Sequence, residues 1–261
     1  MTSAYLTSLG LLGLVVGSFL NVVIHRVPAG LSVVSPGSAC PACAHAVRPI
    51  DNVPVVSWLL LRGRCRDCAA PIAVRYPLVE ATTGALFVVA GWRFGATPYA
   101  AAVLVVVAAG VALAMIDLDH RRLPFPVTGA MAVGTVVALA IDVAFHGTGP
   151  VPVALLSLLL WLGVYGGVWL ATRGRGMGLG DVALAPVLGL ALGWHGWGAS
   201  LVGLAAGFVV GALVGGVLLA GGVARRGTAV PHGPFLLSGA LLGLIAGQPL
   251  ASAYLRLVGL G

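Results

Sequence analysis

Apolar runs long enough to cross a bilayer recur along nearly the whole chain. This limits the fold more than any motif does. A hydrocarbon core about 30 Å thick takes about 20 helical residues to span. Inside it every backbone N–H and C=O must be paired within the protein, which leaves helices or a closed barrel. Runs near 4–24, 78–95, 97–116, 126–146, 151–171, 182–196, 197–223 and 233–248 meet or approach that length. With 59% hydrophobic residues, 8% charged residues and a mean hydropathy of +1.07, a soluble globular domain is excluded. The expectation is an all-α polytopic membrane protein with about eight transmembrane helices. The sixth run is short, and its border with the seventh at Trp194-His195-Gly196-Trp197 is open. The 39 glycines suit helices that pack closely in lipid. The first run lacks a basic start and a clear small-residue cleavage site, so it reads as a span and not as a removable signal.

The net charge of +7 points to topology and not to a nucleic-acid partner. All 14 basic residues are arginine, and their placement alternates. Arg26, Arg48, Arg62, Arg64, Arg66 and Arg75 lie between the first two runs, Arg121 and Arg122 after the third, Arg173 and Arg175 after the fifth, and Arg225 and Arg226 after the seventh. The opposite connections hold only Arg93, and Arg256 is in the tail. By the positive-inside rule both termini face outward, and residues 27–76 and both aspartate segments face the cytoplasm. The expected organisation is a first helix at 1–26, a polar module at 27–76 and a multi-helix membrane domain at 77–261.

All four cysteines fall in the module, as Cys40-Pro41-Ala42-Cys43 and Cys65-Arg66-Asp67-Cys68. Two C-x-x-C knuckles have the layout of a four-thiolate zinc site, and four thiolates leave no open position, so such an ion is structural. Two disulfides or a dithiol relay would use the same residues, and a cytoplasmic location argues against stable disulfides.

Seven acids occur in the chain, and two border membrane-length runs. Asp117 follows the run ending at Ile116 and opens Asp117-Leu118-Asp119-His120-Arg121-Arg122-Leu123-Pro124. Asp181 closes Gly178-Leu179-Gly180-Asp181. Ionisable groups in or beside a bilayer are costly, roughly 2.5–3.5 kcal/mol on insertion scales, and are functional candidates for that reason. A pair can run acid–base chemistry if one keeps a proton while the other is ionised. Gly178 and Gly180 permit positive φ and close backbone approach, so that a substrate strand could lie against an active-site loop. The bland reading is that the aspartates cap helices, with Asp181 an N-cap before Val182. Asp119 reads as the surface member, in reach of Arg121 and Arg122, and His120 as interfacial. Glu80 and Asp142 receive no role, and the six tryptophans read as interface anchors or packing residues.

Taken in order, the motifs resemble those of the bacterial type IV prepilin peptidase family, the GxGD-type intramembrane aspartyl proteases. Gly17-Ser18-Phe19-Leu20-Asn21 through Arg26-Val27-Pro28 is similar to the family's N-terminal signature. Ser35-Pro36 through Cys43, Asp51-Asn52-Val53-Pro54, Leu61-Arg62-Gly63-Arg64-Cys65 and Arg75-Tyr76-Pro77-Leu78-Val79-Glu80 resemble its cytoplasmic domain. Asp117 and Asp181 match its two catalytic aspartates, and Pro231-His232-Gly233-Pro234-Phe235-Leu236 resembles its C-terminal motif. Three positions depart from the pattern. Phe125 stands where Asp or Asn is usual, Ala183 where Lys is usual and His232 where Phe is frequent; the aspartates themselves are intact.

The resemblance implies a multi-pass protein of the bacterial cytoplasmic membrane. It would cut a short basic leader from prepilins or pseudopilins of a pilus, competence or secretion system. Many members then methylate the new N-terminus with S-adenosylmethionine, for which no fingerprint is visible in the sequence. A metal-handling or ion-coupled transporter is the alternative from another class; it would suit intramembrane acids and a cysteine module but does not explain the ordered motifs. A thiol–disulfide oxidoreductase would want its cysteines on the opposite face. The sequence names neither a particular pilin nor an oligomeric state.

Overall fold

The computed structural model describes residues 2–222 and 230–259. Arg225, Arg226 and Val223, the last residue of the seventh expected run, lie outside the described residues. Among those described there is no β-strand, and eight helices of 17–25 residues account for the expected spans. Six of them are long and apolar enough to cross a membrane. The other two expected spans are helices but fall outside that group. One of them carries Arg75, Glu80 and Arg93, and the other has only 17 residues.

The chain divides into two compact units, Met1–Ala112 and Leu113–Gly261. In the first, α1 (Ser3–Arg26) packs along α3 (Arg75–Phe94). A Cβ at Gly17 would come within 2.7 Å of Glu80 Cα, so glycine sets how closely the two backbones approach. The far end is closed by the Tyr5 hydroxyl, which donates to the Gly95 carbonyl at 2.8 Å. Between these helices lie a 3-10 turn at Pro49–Asn52 and the short helix α2 (Val56–Leu60).

The second unit begins within α4 (Pro98–His120) and continues with α5 (Phe125–His146), α6 (Val151–Thr172), α7 (Leu179–His195), α8 (Trp197–Ala220) and α9 (Gly233–Leu257). The short helix α7 is its axis, packed against α5, α6, α8 and α9. Leu184, Ala185, Leu188, Ala191 and Leu192 on it are fully buried. Several buried polar groups are satisfied across the helices, as an interior poor in water favours. The Ser157 hydroxyl donates to the Gly189 carbonyl at 2.6 Å, and Trp161 Nε1 donates to Ser200 Oγ at 3.0 Å. Asp142 accepts from Trp194 Nε1 at 2.9 Å and lies 3.0 Å from His146 Nδ1, clasping α5 to α7. Trp161 and Trp194 thus serve packing and hydrogen bonding.

Among the element borders, two that matter for packing differ from the sequence expectation, and the one left open is settled. α4 runs on to His120, so Asp117 lies inside its last turn and not after its end. The open border between the sixth and seventh runs is a break at Gly196, whose φ of 117° a side chain rarely adopts. α9 continues past Pro249 to Leu257, where 248 was the expected end. The proline removes one donor from that helix without stopping it, and Gln248 beside it donates to the His195 carbonyl at 2.7 Å.

α8 and α9 meet through small residues four apart. Gly239, Gly243 and Gly247 face Ala199, Gly203 and Gly207. A Cβ on Gly239 would meet the Gly207 backbone and come within 2.6 Å of the Gly203 carbonyl. Gly239→Val should therefore destabilise the bundle by at least about 1–3 kcal/mol, the usual cost of overpacking. A lowered thermal unfolding midpoint in detergent would show this, whereas Gly215→Val, at an open position, should leave the midpoint unchanged.

Candidate functional site

Asp117 is carried inward by helical period. Leu113, Ile116 and Asp117 share one stripe of α4, at i, i+3 and i+4, and all three are buried. Leu118, Asp119 and His120 fall on the exposed side. The reading of Asp119 as the surface member agrees with this placement.

Asp181 is buried as well, in the first turn of α7. It is not the N-cap. Gly178 occupies that position, and Asp181 is the third helical residue. Its Oδ2 accepts from the Gly178 backbone N–H at 3.1 Å, the carboxylate half of a capping box. The capping reading is therefore half right, because the other carboxylate oxygen, Oδ1, is buried with no hydrogen-bond partner among the described residues. Such an atom is costly in structural terms alone.

Leu123 brings the two segments together. A Cβ on Gly180 would come 2.8 Å from Leu123 Cβ and 3.2 Å from its carbonyl oxygen. A Cβ on Gly233 would come 3.0 Å from Leu123 Cδ2 and 2.8 Å from Asp117 Oδ2. With no Cβ in the way, the Gly233 backbone N–H donates to Asp117 Oδ2 at 2.9 Å. The carboxylates of Asp117 and Asp181 lie within electrostatic reach of each other. Each also sits at the N-terminal end of a helix, α9 for Asp117 and α7 for Asp181, where backbone N–H groups favour negative charge. The expected glycine role is corrected in one respect. Gly178 has an ordinary extended φ of −79° and Gly180 is already helical, so close approach and not positive φ explains them.

The sequence reading missed two residues at this site. Tyr165 of α6 is fully buried and within electrostatic reach of Asp181. His232, the N-cap of α9, is within reach of Asp117. Tyr165 sits in a strongly apolar helix and carries no local signal. His232 was marked only as a departure. Of the other two departures, Phe125 is largely exposed and Ala183 half-buried.

In the first unit the four cysteines converge, with their sulfur atoms all within 4.8 Å of one another. Cys40 Sγ and Cys68 Sγ are 3.8 Å apart, the edge of a tetrahedron with metal–sulfur bonds of about 2.3 Å. The cluster can hold a metal ion. The two knuckles share one backbone pattern. Cys40 N–H donates to the His45 carbonyl and Cys65 N–H to that of Ala70, and Ala44 and Ala69 both take positive φ. The backbone N–H groups of Cys43 and Ala42 pull the Cys40 thiol down to about 7, whereas at Cys68 the Ala70 N–H is outweighed by desolvation and the neighbouring thiols, which push that thiol up to about 12, so Cys40 is the more readily ionised of the two. Arg66 pairs with Asp51 at 2.6 Å and Arg48 with Asp67 at 2.7 Å, so some loop arginines join the knuckles to their surroundings.

Glu80, given no role from the sequence, anchors this module. It is buried on α3 and accepts the Val55 backbone N–H at 2.7 Å and the Ser18 hydroxyl. Asn21 Nδ2 donates to the Tyr76 carbonyl at 3.2 Å. Val55 needs the support, since a β-branched residue at φ 62° and ψ −50° is strained. Glu80→Ala should leave the Val55 N–H unpaired at a cost of about 1–3 kcal/mol. Limited proteolysis should then cut within residues 27–76 faster than in the wild type, while Glu80→Gln, which keeps an acceptor, should be cut more slowly than the alanine variant.

Comparison with known proteins places both units. Residues 11–94 match the Bacterial Peptidase A24 N-terminal domain, and residues 104–221 match the Type IV leader peptidase family. A prepilin leader peptidase/N-methyltransferase of Pseudomonas aeruginosa is 35% identical over 95% of this chain and 93% of its own length. Relatives of the same name from Pseudomonas putida (36% identical; 99% of this chain, 97% of the relative) and Aeromonas hydrophila (33%; 96% and 94%) are similar to it throughout. No solved structure gives a significant match. With both family regions in order and such relatives aligned nearly end to end, the chain belongs to the type IV leader peptidase family.

Proposed function

We propose that this protein is a membrane aspartyl endopeptidase. It removes the short basic leader from type IV prepilins or pseudopilins at the cytoplasmic face of the inner membrane, and Asp117 and Asp181 carry the chemistry. The observation that carries this reading is that two buried carboxyl groups from different helices lie within electrostatic reach of each other, on segments that both pack on Leu123, one of them with an oxygen that has no hydrogen-bond partner among the described residues. The arginine distribution supports the cytoplasmic face, and the relatives' names support the substrate class.

Two carboxyl groups in one poorly solvated site hold a single proton between them more readily than two charges. The ionised member takes a proton from water as the oxygen attacks the scissile carbonyl. The protonated member donates a hydrogen bond to the carbonyl oxygen as charge builds there. Collapse of the tetrahedral intermediate releases the leader and passes a proton to the new amino terminus. The Gly233 N–H holds Asp117 in one rotamer, and the Gly178 N–H does the same for Asp181.

Asp117→Asn and Asp181→Asn should each lower leader cleavage by at least about 10²–10⁴-fold, the usual contribution of general acid–base catalysis. Asp119→Asn, on the exposed side of α4, should stay near wild type. Co-expression with a prepilin, followed by mass spectrometry of the mature N-terminus, reads the outcome. Near-normal cleavage by either of the first two variants would end the assignment. The same spectra report whether a methyl group is added. That activity, which would use S-adenosylmethionine, is supported by the relatives' name, N-methyltransferase.

The metal of the cysteine cluster is zinc on this reading, held by Cys40, Cys43, Cys65 and Cys68 in a closed structural site. Elemental analysis should find about one zinc per chain, released by Cys40→Ser combined with Cys43→Ser. A fully stable wild-type protein without metal and with four free thiols would refute it.

A further inference from the structure

His232 and Tyr165 lie near the two aspartates and take no part in the chemistry described so far. His232 is the residue before Gly233, so its position governs where the Gly233 N–H points, and that N–H holds Asp117 Oδ2 at 2.9 Å. The imidazole is wedged among three aromatic rings, 5.8 Å from Tyr165, 5.9 Å from Phe208 and 6.1 Å from Phe235. Its Nε2 lies 3.5 Å from the Tyr165 hydroxyl, at the outer limit of a hydrogen bond. Tyr165 in turn stacks on Trp161 and Phe208. Its hydroxyl end is therefore supported by rigid packing, and a buried tyrosine hydroxyl demands a polar partner. His232 is within electrostatic reach of Asp117, and Tyr165 of Asp181. Contacts thus run from Asp117 through the His232–Gly233 peptide and its imidazole to the Tyr165 hydroxyl, with Asp181 within electrostatic reach of that hydroxyl.

We propose that His232 and Tyr165 are positioning residues for the catalytic pair: their contact tightens to a hydrogen bond in the substrate complex and holds the N-terminus of α9 on Asp117. Catalytic hydrogen bonds are often long in the free enzyme and shorten when substrate binds. A phenylalanine at position 232 would fill the same space among the aromatic rings but could not bond Tyr165. The device is therefore a property of this chain's histidine and not of ring packing as such. The proposal rests on the assignment of Asp117 and Asp181 as the catalytic pair.

The test is a double-mutant cycle on the full-length protein in proteoliposomes, with kcat and KM of prepilin cleavage measured for wild type, Tyr165→Phe, His232→Phe and the double variant. Each single variant should lower kcat by about three- to tenfold, the effect of one neutral hydrogen bond, with KM within about twofold. The double variant should be no slower than the slower single variant, because the same contact is lost. His232→Gln, which keeps a side-chain nitrogen, should recover part of the kcat lost in His232→Phe, but not when Tyr165 is Phe. Should His232→Phe not fold, as judged by its unfolding midpoint, the cycle is run with His232→Leu and His232→Gln. Single-variant effects that multiply in the double variant, or His232→Phe at wild-type kcat, would overturn the proposal. Asp117→Asn and Asp181→Asn run alongside: if either cleaves normally, the catalytic assignment itself has failed, an outcome distinct from failure of the positioning role.

Discussion

The backbone N–H of Gly233 donates to the side chain of Asp117 across 116 residues of sequence, and much of the second unit is arranged to permit that contact. It requires a residue without a Cβ at 233, since a Cβ would lie 2.8 Å from the carboxylate oxygen. It requires α9 to be seated at a set height, which the glycine ladder of Gly239, Gly243 and Gly247 against α8 provides. It requires α4 to keep helical geometry through its last turn, so that Asp117 points inward while Leu118 and Asp119 point out. Inside a membrane protein no bulk water is available to repair a misplaced polar group. The arrangement is accordingly built from backbone donors, whose positions the helices set.

The two aspartates are held by the same physical means but in different ways. Asp181 is bound to the start of its own helix, a local contact three residues long. Asp117 is bound to the start of a distant helix. Both carboxylates thus sit where a helix N-terminus favours negative charge, while burial disfavours it. Leu123 serves as the spacer, touched by Gly180 from one side and by Gly233 from the other. A substitution at either glycine would push the two segments apart without removing either carboxylate.

The first unit follows a parallel logic at a different site. Its cysteine loop has little regular structure and no large apolar core, and it is held by the Glu80 carboxylate on α3, which Ser18 of α1 also bonds, and from within by the cysteine cluster and two arginine–aspartate pairs. Small irregular modules generally need a metal or equivalent cross-link, because their apolar burial does not offset chain entropy. The N-terminal signature and the Arg75–Glu80 motif, read in the sequence as separate family marks, turn out to be two sides of one anchoring contact.

By itself the sequence determined the membrane class, the helical runs, the cysteine layout and the two aspartates. Each of these is a local property: run length against bilayer thickness, a repeated C-x-x-C spacing, or a charge where charge is costly. The 25-residue α9 and the inward turn of Asp117 were less legible, because a proline and a cluster of polar residues look like helix ends when neighbours are unknown. Only the tertiary structure decided that Glu80 is an anchor, that Asp181 is the third residue of its helix, and that Tyr165 and His232 lie near the two aspartates. None of those roles has a local signature. Tyr165 looks like any aromatic residue in an apolar helix until α6, α8 and α9 are packed, and it is packing that turns its hydroxyl toward His232.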